Sequence, residues 1–372
     1  MWIDTAQTFR AMMDELSAHT RLAVDTESNS LHAYRERICL IQLSTLHTDY
    51  LLDPLALHDL SPLESVFTNP HIEKIFHAAE YDLICLRRDF GWQVTGIFDT
   101  MIAARTLGWT QLGLGALLET HFGVKADKRH QRANWGARPL TPDQLAYAQL
   151  DTHYLIPLCD RLIEELKSTH CYDEAREEYD RLSQVIGNTH FELPTFDPEN
   201  FWRISGVRDL TPRQAAILRE LFIYRDSVAR QLNRPPFKVM NDKVLLTLAQ
   251  TEPKTLDEVK KSDGVSGSIQ RYAKALFESI ERGRHAPLCH PPRHERQPDD
   301  IMERYETLRK WRKKKAQARG VEADVILSRD ALWSLARRPP HTRDDLDQIN
   351  GLGPIRREKY GEEIVAILQQ GQ

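Results

Sequence analysis

The sequence predicts an α/β mixed-sheet domain followed by two small all-α helical-bundle domains. Three observations predict this: closely spaced apolar strand patterns from residue 20, amphipathic helical patterns from residue 80, and a duplicated helical segment after residue 200. A chain of 372 residues also exceeds what one hydrophobic core usually organises. We place the domains at residues 1–195, 203–285 and 297–372.

Four short apolar segments near the N-terminus are typical of β-strands. They are RLAVDTES, RICLIQLST, TDYLLDPL and EKIFHAA, and the first three follow one another without an intervening helical pattern. Strands connected this closely predict a meander that opens a mixed sheet.

Amphipathic patterns after these strands predict helices that pack around the sheet, which defines an α/β domain. The predicted helices are EYDLICLRRDFG, IFDTMIAARTLG, LGALLETHFG and the long TPDQLAYAQLDTHYLIPLCDRLIEEL. Thr141 is the expected N-cap of the last helix, and Pro142 is its expected first residue. The segment GNTHFELPTFDPEN (187–200) interrupts the pattern and is predicted to be a linker.

Beyond residue 200 the chain contains helical patterns that occur twice. The two copies align Arg225 with Arg312, Leu245 with Leu332, Ala249 with Ala336, Pro253 with Pro340 and Gly264 with Gly351. Each copy is long enough to form a small helical bundle. The proline-rich segment APLCHPPRHERQPDD (286–300) separates them.

Composition and charge exclude several classes of protein. No apolar stretch approaches the roughly 18 residues of a membrane span, and the N-terminus lacks a signal-peptide pattern, so we expect a cytoplasmic protein without a membrane partner. The five cysteines are too scattered for a zinc site or a disulfide framework. The net charge of −4 combines an acidic first domain, which suits metal binding, with a basic remainder, which suits polyanions.

Four carboxylates and a tyrosine are the candidate functional residues. Asp25 and Glu27 are two residues apart on a predicted strand and share one face, where like charges favour a bound proton or a shared cation. Asp82 follows a strand early in a helix, and Tyr147 and Asp151 share a helix face. Each pattern alone is also typical of a solvated strand end, a helix N-terminus or an exposed helix face. Their order within one mixed domain favours a common site.

This order of motifs resembles the DEDD exonuclease superfamily, tyrosine branch. The segments LIQLS, FDTMIAA and NWGARPLTPDQLAYAQLDTHYL are further similar to the ribonuclease D family. The two repeats resemble the helicase-and-ribonuclease-D C-terminal (HRDC) domain, which RecQ-type helicases also contain. The resemblance covers nearly the whole chain and implies a ribonuclease H-like sheet flanked by helices.

The resemblance also implies a reaction and a role for each residue. The chain would remove nucleoside 5′-monophosphates from RNA 3′ ends, with tRNA precursors and other small structured RNAs as substrates. Asp25 would bridge two Mg²⁺ or Mn²⁺ ions, Glu27 and Asp151 would complete the site of the water-activating ion, and Asp82 would support the second. By the same resemblance, Tyr147 would orient the attacking water. A phenol with a pKa near 10 is a poor base at neutral pH, so the metal should do most of the acidifying of that water. Hard cations of this kind prefer carboxylate oxygens.

Basic segments are the candidate RNA contacts, because single strands bind to basic grooves and aromatic faces. The segment KADKRHQRANWGAR (125–138) supplies Lys125, Lys128, Arg129, Arg132, Trp135 and Arg138. We predict that it lies over the RNA 3′ end, with a plain solvated loop as the alternative.

Two segments of the second repeat are further RNA candidates. LRKWRKKKAQAR (308–319) predicts a basic helix face around Trp311. NGLGPIRREKYG (350–361) predicts a glycine turn that offers N–H groups to phosphate, although glycine is equally expected at a helix end. Cys289, His290 and His294 lie in a proline-rich setting that favours a linker over a metal site.

We therefore expect a monomeric, metal-dependent 3′-to-5′ exoribonuclease. Two alternatives stay open. One is a DNA 3′-to-5′ exonuclease of the proofreading or helicase-associated kind, which the lack of polymerase or helicase motifs disfavours. The other is an inactive RNA-binding module with a nuclease fold, which the intact acids disfavour.

Overall fold

A mixed β-sheet with six strands organises the N-terminal part of the computed structural model, which describes residues 1–189, 195–292 and 296–370. The strands are β1 (Trp2–Ile3), β2 (Arg21–Ser28), β3 (Ile38–Ser44), β4 (Asp49–Leu52), β5 (Glu73–Phe76) and β6 (Ile97–Asp99). Their spatial order is β1-β4-β3-β2-β5-β6. Strands β2, β3 and β4 form the predicted antiparallel meander, and the remaining pairs are parallel.

Helices surround the sheet, which makes this part of the chain α/β. They are α1 (Ala6–Leu16), α2 (Ser61–Phe67), α3 (Glu80–Phe90), α4 (Thr100–Leu107), α5 (Leu114–Phe122), α6 (Pro142–His153), α7 (Leu155–Ser168) and α8 (Tyr172–Gly187). All seven residues of β3 are buried, which explains its largely apolar sequence.

Two helix predictions were wrong in part. The predicted helix from Thr141 begins as expected, with Thr141 in a capping box and Pro142 as its first residue, but it ends at His153 and α7 follows as a separate helix. Pro157 explains the break, because it has no N–H to donate to the His153 carbonyl and its ring crowds that carbonyl. The segment IFDTMIAARTLG is not helical throughout, since its first three residues form strand β6.

The chain divides into two compact units. One comprises Met1–Ser28, Ile38–Phe191 and Arg296–Gln372, and the other comprises Asn29–Arg37 and Glu192–Glu295. The second helical repeat therefore belongs to the same unit as the sheet. The three-domain division with boundaries at 1–195, 203–285 and 297–372 stays a prediction.

The first helical repeat has its own apolar core. Its helices are α9 (Pro212–Leu232), α10 (Pro236–Val239), α11 (Asp242–Thr251), α12 (Leu256–Lys261) and α13 (Ala273–His285). Core residues include Phe201, Leu221 and Ile280. The Tyr34 hydroxyl, from the segment Asn29–Arg37 of the same unit, donates to the buried Asp226 carboxylate, with oxygen distances of 2.8 and 2.9 Å.

The second helical repeat packs against α8 through buried ion pairs. Its helices are α14 (Asp299–Arg319), α15 (Ala323–Ile326), α16 (Arg329–Arg337) and α17 (Pro354–Gln370). Glu174 of α8 pairs with Arg319 at 2.6 Å and with Lys359 at 3.0 Å. Glu177 pairs with Arg356 at 2.7 Å.

In the glycine turn of the second repeat, which was predicted to offer N–H groups to phosphate, one N–H is already bonded within the protein. The Ile355 N–H donates to the Glu177 carboxylate at 2.7 Å, and the side chain of Glu177 lies directly against Gly353. A carboxylate of the same chain therefore occupies the position that was predicted for an RNA phosphate.

Parts of both predicted linkers lie outside the described residues, namely 190–194 of the first and 293–295 of the second, which include His294. No helix in the described ranges has both the length and the hydropathy to cross a bilayer.

Candidate active site

Strand β2 and helix α6 bring three of the predicted carboxylates together. Asp25 and Glu27 lie on one face of β2, and Asp151 lies in the last turn of α6. One oxygen from each carboxylate lies within 4.8 Å of the other two. The spacing in RLAVDTES and the helical position of Asp151 therefore converge on one cluster.

Asp82, the fourth predicted acid, lies beside this cluster in the first turn of α3 and is 6% exposed. Its carboxylate oxygen Oδ1 accepts hydrogen bonds from the Thr26 N–H at 3.1 Å and from the Thr26 hydroxyl at 2.5 Å. Thr26 was not predicted as a functional residue, although its place between Asp25 and Glu27 was a signal. Asp82 thus reaches the site through a contact with the strand that carries the other two motif acids.

The four carboxylates raise one another's pKa. Burial is the main cause for each of them, because it disfavours the charged form. The charge of Asp151 further raises the pKa of Asp25, and Asp25 in turn raises the pKa of Glu27 and Asp82. Asp82 also raises the pKa of Asp151, whereas a hydrogen bond from Tyr147 lowers the pKa of Asp151.

Such a cluster of buried like charges fits a divalent cation. Carboxylate oxygens are the ligands that Mg²⁺ and Mn²⁺ prefer, and a cation relieves the repulsion that otherwise forces protonation. The fold and the acidic cluster together imply dependence on divalent metal.

Tyr147 lies one helical turn before Asp151, and its hydroxyl donates to the Asp151 carboxylate. Burial and the nearby acids raise its pKa far above the ordinary value of 10. The ring centroids of Trp135 and His130 lie 6.0 and 6.1 Å from that of Tyr147. The phenol is therefore a positioned hydrogen-bond donor and acceptor, and not a source of phenolate at neutral pH.

Polar contacts that the sequence did not predict fix α6 on the sheet. Asp49 of β4 accepts hydrogen bonds from Gln149 at 2.7 Å and from His153 at 2.9 Å. The hydroxyls of Ser44 and Thr152 are 2.7 Å apart. These contacts flank Asp151 on both sides and so determine its place relative to β2.

Asp99 organises the turn that leads to Asp82. It is 1% exposed, and its carboxylate accepts from the N–H groups of Ala78, Ala79, Met101 and Ile102 at 2.7 to 3.2 Å. Ala78 has a φ of 64°, which costs energy for a residue with a Cβ. Four hydrogen bonds to one buried carboxylate hold this conformation. Asp99 lies in the segment FDTMIAA, which the sequence analysis used only as part of the family resemblance.

A cavity of about 540 Å³ opens beside the acids. Its lining includes Asp25, Tyr147, Asp151, His77, Lys128 and Gln131. His77 Nδ1 lies 2.9 Å from the Thr100 hydroxyl, and burial lowers the pKa of this imidazole. Lys128 is the predicted RNA contact that reaches this cavity.

Trp135 is too buried to stack on an RNA base, and the guanidinium of Arg138 is already bonded within the protein. Trp135 is 1% exposed and packs in the apolar cluster beneath Tyr147. The Arg138 guanidinium forms two bonds of 2.6 Å to Asp53 and further bonds to the carbonyls of Cys39, Trp135 and Ala137. Both side chains, which were predicted to bind RNA, instead make contacts within the protein that hold this segment on the sheet.

The other basic residues of the segment lie at the surface. Lys125 has a side chain that is 84% exposed, and Arg129 has one that is 79% exposed and pairs with Asp127. Lys128 and Arg132 are also exposed. On α14 the exposed cations are Arg309, Lys310, Lys313 and Lys314, whereas Arg312 donates to the Leu327 carbonyl and Lys315 pairs with Glu363.

Comparisons with known proteins show which families this chain is similar to. A family profile described as 3′-5′ exonuclease matches residues 1–167, and one described as HRDC domain matches residues 214–280 and 302–368. The exosome complex exonuclease RRP6 of Saccharomyces cerevisiae is 34% identical over 293 residues, which are 75% of this chain and 40% of that protein. This chain therefore spans less than half of that relative.

Bacterial relatives match over most of their length. The ribonuclease D of Jannaschia sp. is 32% identical over 344 residues, which are 87% of each protein. The structure of Escherichia coli RNase D, an exoribonuclease involved in structured RNA processing, aligns over 100% of this chain and 98% of that chain, with 25% identity and a TM-score of 0.70. The chain belongs to the ribonuclease D family.

Proposed function

We propose that this chain is a divalent-metal-dependent 3′-to-5′ exoribonuclease that releases nucleoside 5′-monophosphates. The observation that supports it most is the convergence of Asp25, Glu27 and Asp151 within 4.8 Å, beside Asp82 and Tyr147 and next to a cavity. The ribonuclease D relationship supports RNA as the substrate class. The alternative of an inactive module lacks support from the site, because every predicted acid is present.

The proposed reaction is an in-line attack of water on the phosphorus that links the last two nucleotides. The attacking water gives up a proton and its oxygen bonds to phosphorus, the bond to the 3′ oxygen of the preceding nucleotide breaks, and that oxygen takes up a proton. Tyr147 orients the attacking water through its hydroxyl, which the hydrogen bond to Asp151 holds in place. Lys128 lies in the cavity where the terminal phosphate would bind.

Asp25, Glu27, Asp82 and Asp151 would hold two Mg²⁺ or Mn²⁺ ions. Bound ions of this kind lower the pKa of water and stabilise negative charge on the phosphoryl and leaving oxygens. The protein's own contribution is a rigid donor set, in which two acids share strand β2 and two come from helices that are fixed to the sheet.

We further propose that Lys125, Lys128, Arg129 and Arg132 bind the RNA backbone near the 3′ end. All four side chains are exposed, and Lys128 lines the cavity, which supports this. We propose the same role, binding of the RNA backbone, for the exposed cations of α14 in the second repeat. Replacing both Lys128 and Arg132 by alanine should weaken RNA binding and reduce the slope of affinity against salt concentration by about two phosphate contacts. An unchanged slope would contradict the assignment.

The proposed natural substrates are tRNA precursors and other small structured RNAs, processed by a monomer. The relationship to Escherichia coli RNase D over nearly the whole chain supports this class. A tRNA transcript with a 3′ extension should be shortened to the mature end and resist further trimming, whereas an unstructured RNA should be degraded further. Light scattering measures the molar mass in solution and so tests whether the protein is a monomer.

A gel assay tests the activity and separates RNA from DNA. Wild type and Asp25→Asn would be incubated with 5′-labelled single strands of RNA and of DNA with the same sequence, with Mg²⁺, Mn²⁺ or a chelator. We expect a ladder that shortens the RNA from its 3′ end, absent in the variant and in chelator. Preferential shortening of DNA would support a DNA exonuclease instead.

A further inference from the structure

Thr26 makes a contact that the predicted catalytic set does not explain. Both of its hydrogen-bond donors, the backbone N–H and the hydroxyl, bond to Asp82 Oδ1. Both partners are buried, with Thr26 at 8% and Asp82 at 6% exposure. Two donors at one buried carboxylate oxygen fix the position of that carboxylate more closely than one contact does.

The topology of the sheet explains why a carboxylate binds at this place. Strand β2 pairs with β5 only over Arg21–Ala23, whereas it pairs with β3 as far as Ser28. Beyond Ala23, the edge of β2 on the β5 side has lost its partner strand. The Thr26 N–H bonds to the Asp82 carboxylate, so this carboxylate supplies an acceptor to β2 beyond the residues that pair with β5.

The alternation of side chains along β2 explains the second bond, which the Thr26 hydroxyl makes to Asp82. Asp25 and Glu27 share one face of the strand, so the Thr26 side chain projects from the other face. From there its hydroxyl reaches Asp82 Oδ1, so both bonds from Thr26 go to this oxygen and neither goes to Oδ2. A single three-residue stretch, Asp25-Thr26-Glu27, therefore contributes two acids and orients a third.

We propose that Thr26 is a positioning residue of the candidate metal site, which holds Asp82 beside the three-carboxylate cluster in the geometry that a divalent cation requires. This inference rests on the proposed function, because it assigns Thr26 a role in the same site. Hydrogen-bond partners of metal ligands typically contribute 10- to 100-fold to metal affinity.

Binding of Mn²⁺ alone to the full-length protein, followed by electron paramagnetic resonance, tests the proposal without a turnover assay. Thr26→Val removes the hydroxyl, keeps the shape, and suits a strand. We expect it to weaken at least one Mn²⁺ site by roughly 10-fold or more. Thr26→Ser keeps the hydroxyl and should bind Mn²⁺ like wild type.

Thr106→Val is the matched control. Thr106 is a buried threonine of α4 whose hydroxyl donates to the Ile102 carbonyl at 2.8 Å, so this change also removes a buried hydroxyl. It should leave Mn²⁺ affinity unchanged. If Thr26→Val does not fold, Thr26→Ala gives the same comparison with Thr26→Ser.

The outcomes separate this inference from the proposed function. Wild-type Mn²⁺ affinity in a folded Thr26→Val or Thr26→Ala variant would overturn the role of Thr26 and leave the metal site standing. Failure of wild type to bind Mn²⁺ at all would overturn the metal-dependent function, and the role of Thr26 with it. In the activity assay, a positioning role predicts that Thr26→Val needs a higher Mn²⁺ concentration for half-maximal rate and that Thr26→Ser does not.

Discussion

At the residue scale, the site depends on how its surroundings change the chemistry of each side chain. Tyr147 shows this most clearly, because burial and the neighbouring acids keep its phenol protonated. Its hydroxyl can therefore donate to Asp151 and accept from a water, but it cannot act as a strong base. Burial also favours the protonated form of the four acids, Asp25, Glu27, Asp82 and Asp151. They therefore need a bound cation to remain ionised together.

Replacing Tyr147 by phenylalanine should lower kcat by about 100-fold and leave KM for RNA and Mn²⁺ affinity nearly unchanged. The physical reason is that the ring remains packed against Trp135 while the hydroxyl that orients the water is lost. Steady-state kinetics at saturating metal measures this. A variant with the kcat of wild type would exclude a role for the hydroxyl.

Lys74 gives a pH dependence of stability that is independent of the catalytic acids. Its side chain is fully buried in β5, where Nζ donates to the Asn69 carbonyl at 2.7 Å, and burial lowers its pKa to about 7. Between pH 7 and pH 10.5 the unfolded chain therefore binds more protons at this residue than the folded chain, so its contribution to stability rises with pH.

The Lys74→Met variant should accordingly be more stable than wild type at pH 7, with a difference that shrinks as the pH rises towards 10. Denaturant unfolding at several pH values measures this. Lys125→Met, at a side chain that is 84% exposed, should show almost no difference from wild type at either pH. A constant advantage of Lys74→Met across this range would contradict the lowered pKa.

At the scale of single elements, the site depends on how α3 and α6 are fixed to the sheet. Helix α6 is attached to β3 and β4 by Asp49 and Ser44, and α3 follows a turn that Asp99 holds. The functional acids thus lie at the ends of elements whose positions are determined by other buried polar residues.

Replacing Asp99 by alanine should reduce the unfolding free energy by about 2 kcal/mol or more. The change leaves four N–H groups without their acceptor and removes the N-cap of α4. Activity should fall as well, since the turn carries Asp82. Urea unfolding measures the loss, and an unchanged midpoint would show that water replaces the carboxylate.

Sequence patterns were sufficient to predict the elements that have a strong hydrophobic periodicity or a clear helix cap. They predicted the meander, the start of α6 directly after its N-cap Thr141, and the shared face of Asp25 and Glu27. They failed where a tertiary contact decides the outcome. The segment IFD forms a strand because β5 offers it an edge, and Trp135 is buried because the cluster beneath Tyr147 accepts its ring. Neither β5 pairing nor that cluster is visible in the local sequence.

At the scale of the whole molecule, the second helical repeat is part of the unit that contains the active site. Glu174 is 2% exposed and bonds to Arg319 and Lys359, and these contacts lower its pKa below the ordinary value despite burial. A lowered pKa means that this stabilisation is present above the unfolded value of 4.5 and is lost as the pH falls through the folded value.

Replacing Glu174 by glutamine should destabilise the protein by roughly 3 kcal/mol at pH 7, because it leaves the Arg319 charge without its main partner. The difference from wild type should shrink below pH 4.5. Asp180→Asn, an exposed change on the same helix, should have little effect. Thermal unfolding at pH 7 and at pH 4 checks both expectations, and a difference that does not vary with pH would contradict the ionised pair.

Identification of the released product tests the central claim most directly. An RNA with a ³²P-labelled phosphate at its last internucleotide linkage would be incubated with Mg²⁺ and wild type, Asp151→Asn or, as a control, Asp143→Asn, which changes an exposed acid of the same helix. We predict that wild type and Asp143→Asn release the label as a nucleoside 5′-monophosphate and that Asp151→Asn does not. Label in longer oligonucleotides or in a 3′-phosphate, or full activity of Asp151→Asn, would contradict the account.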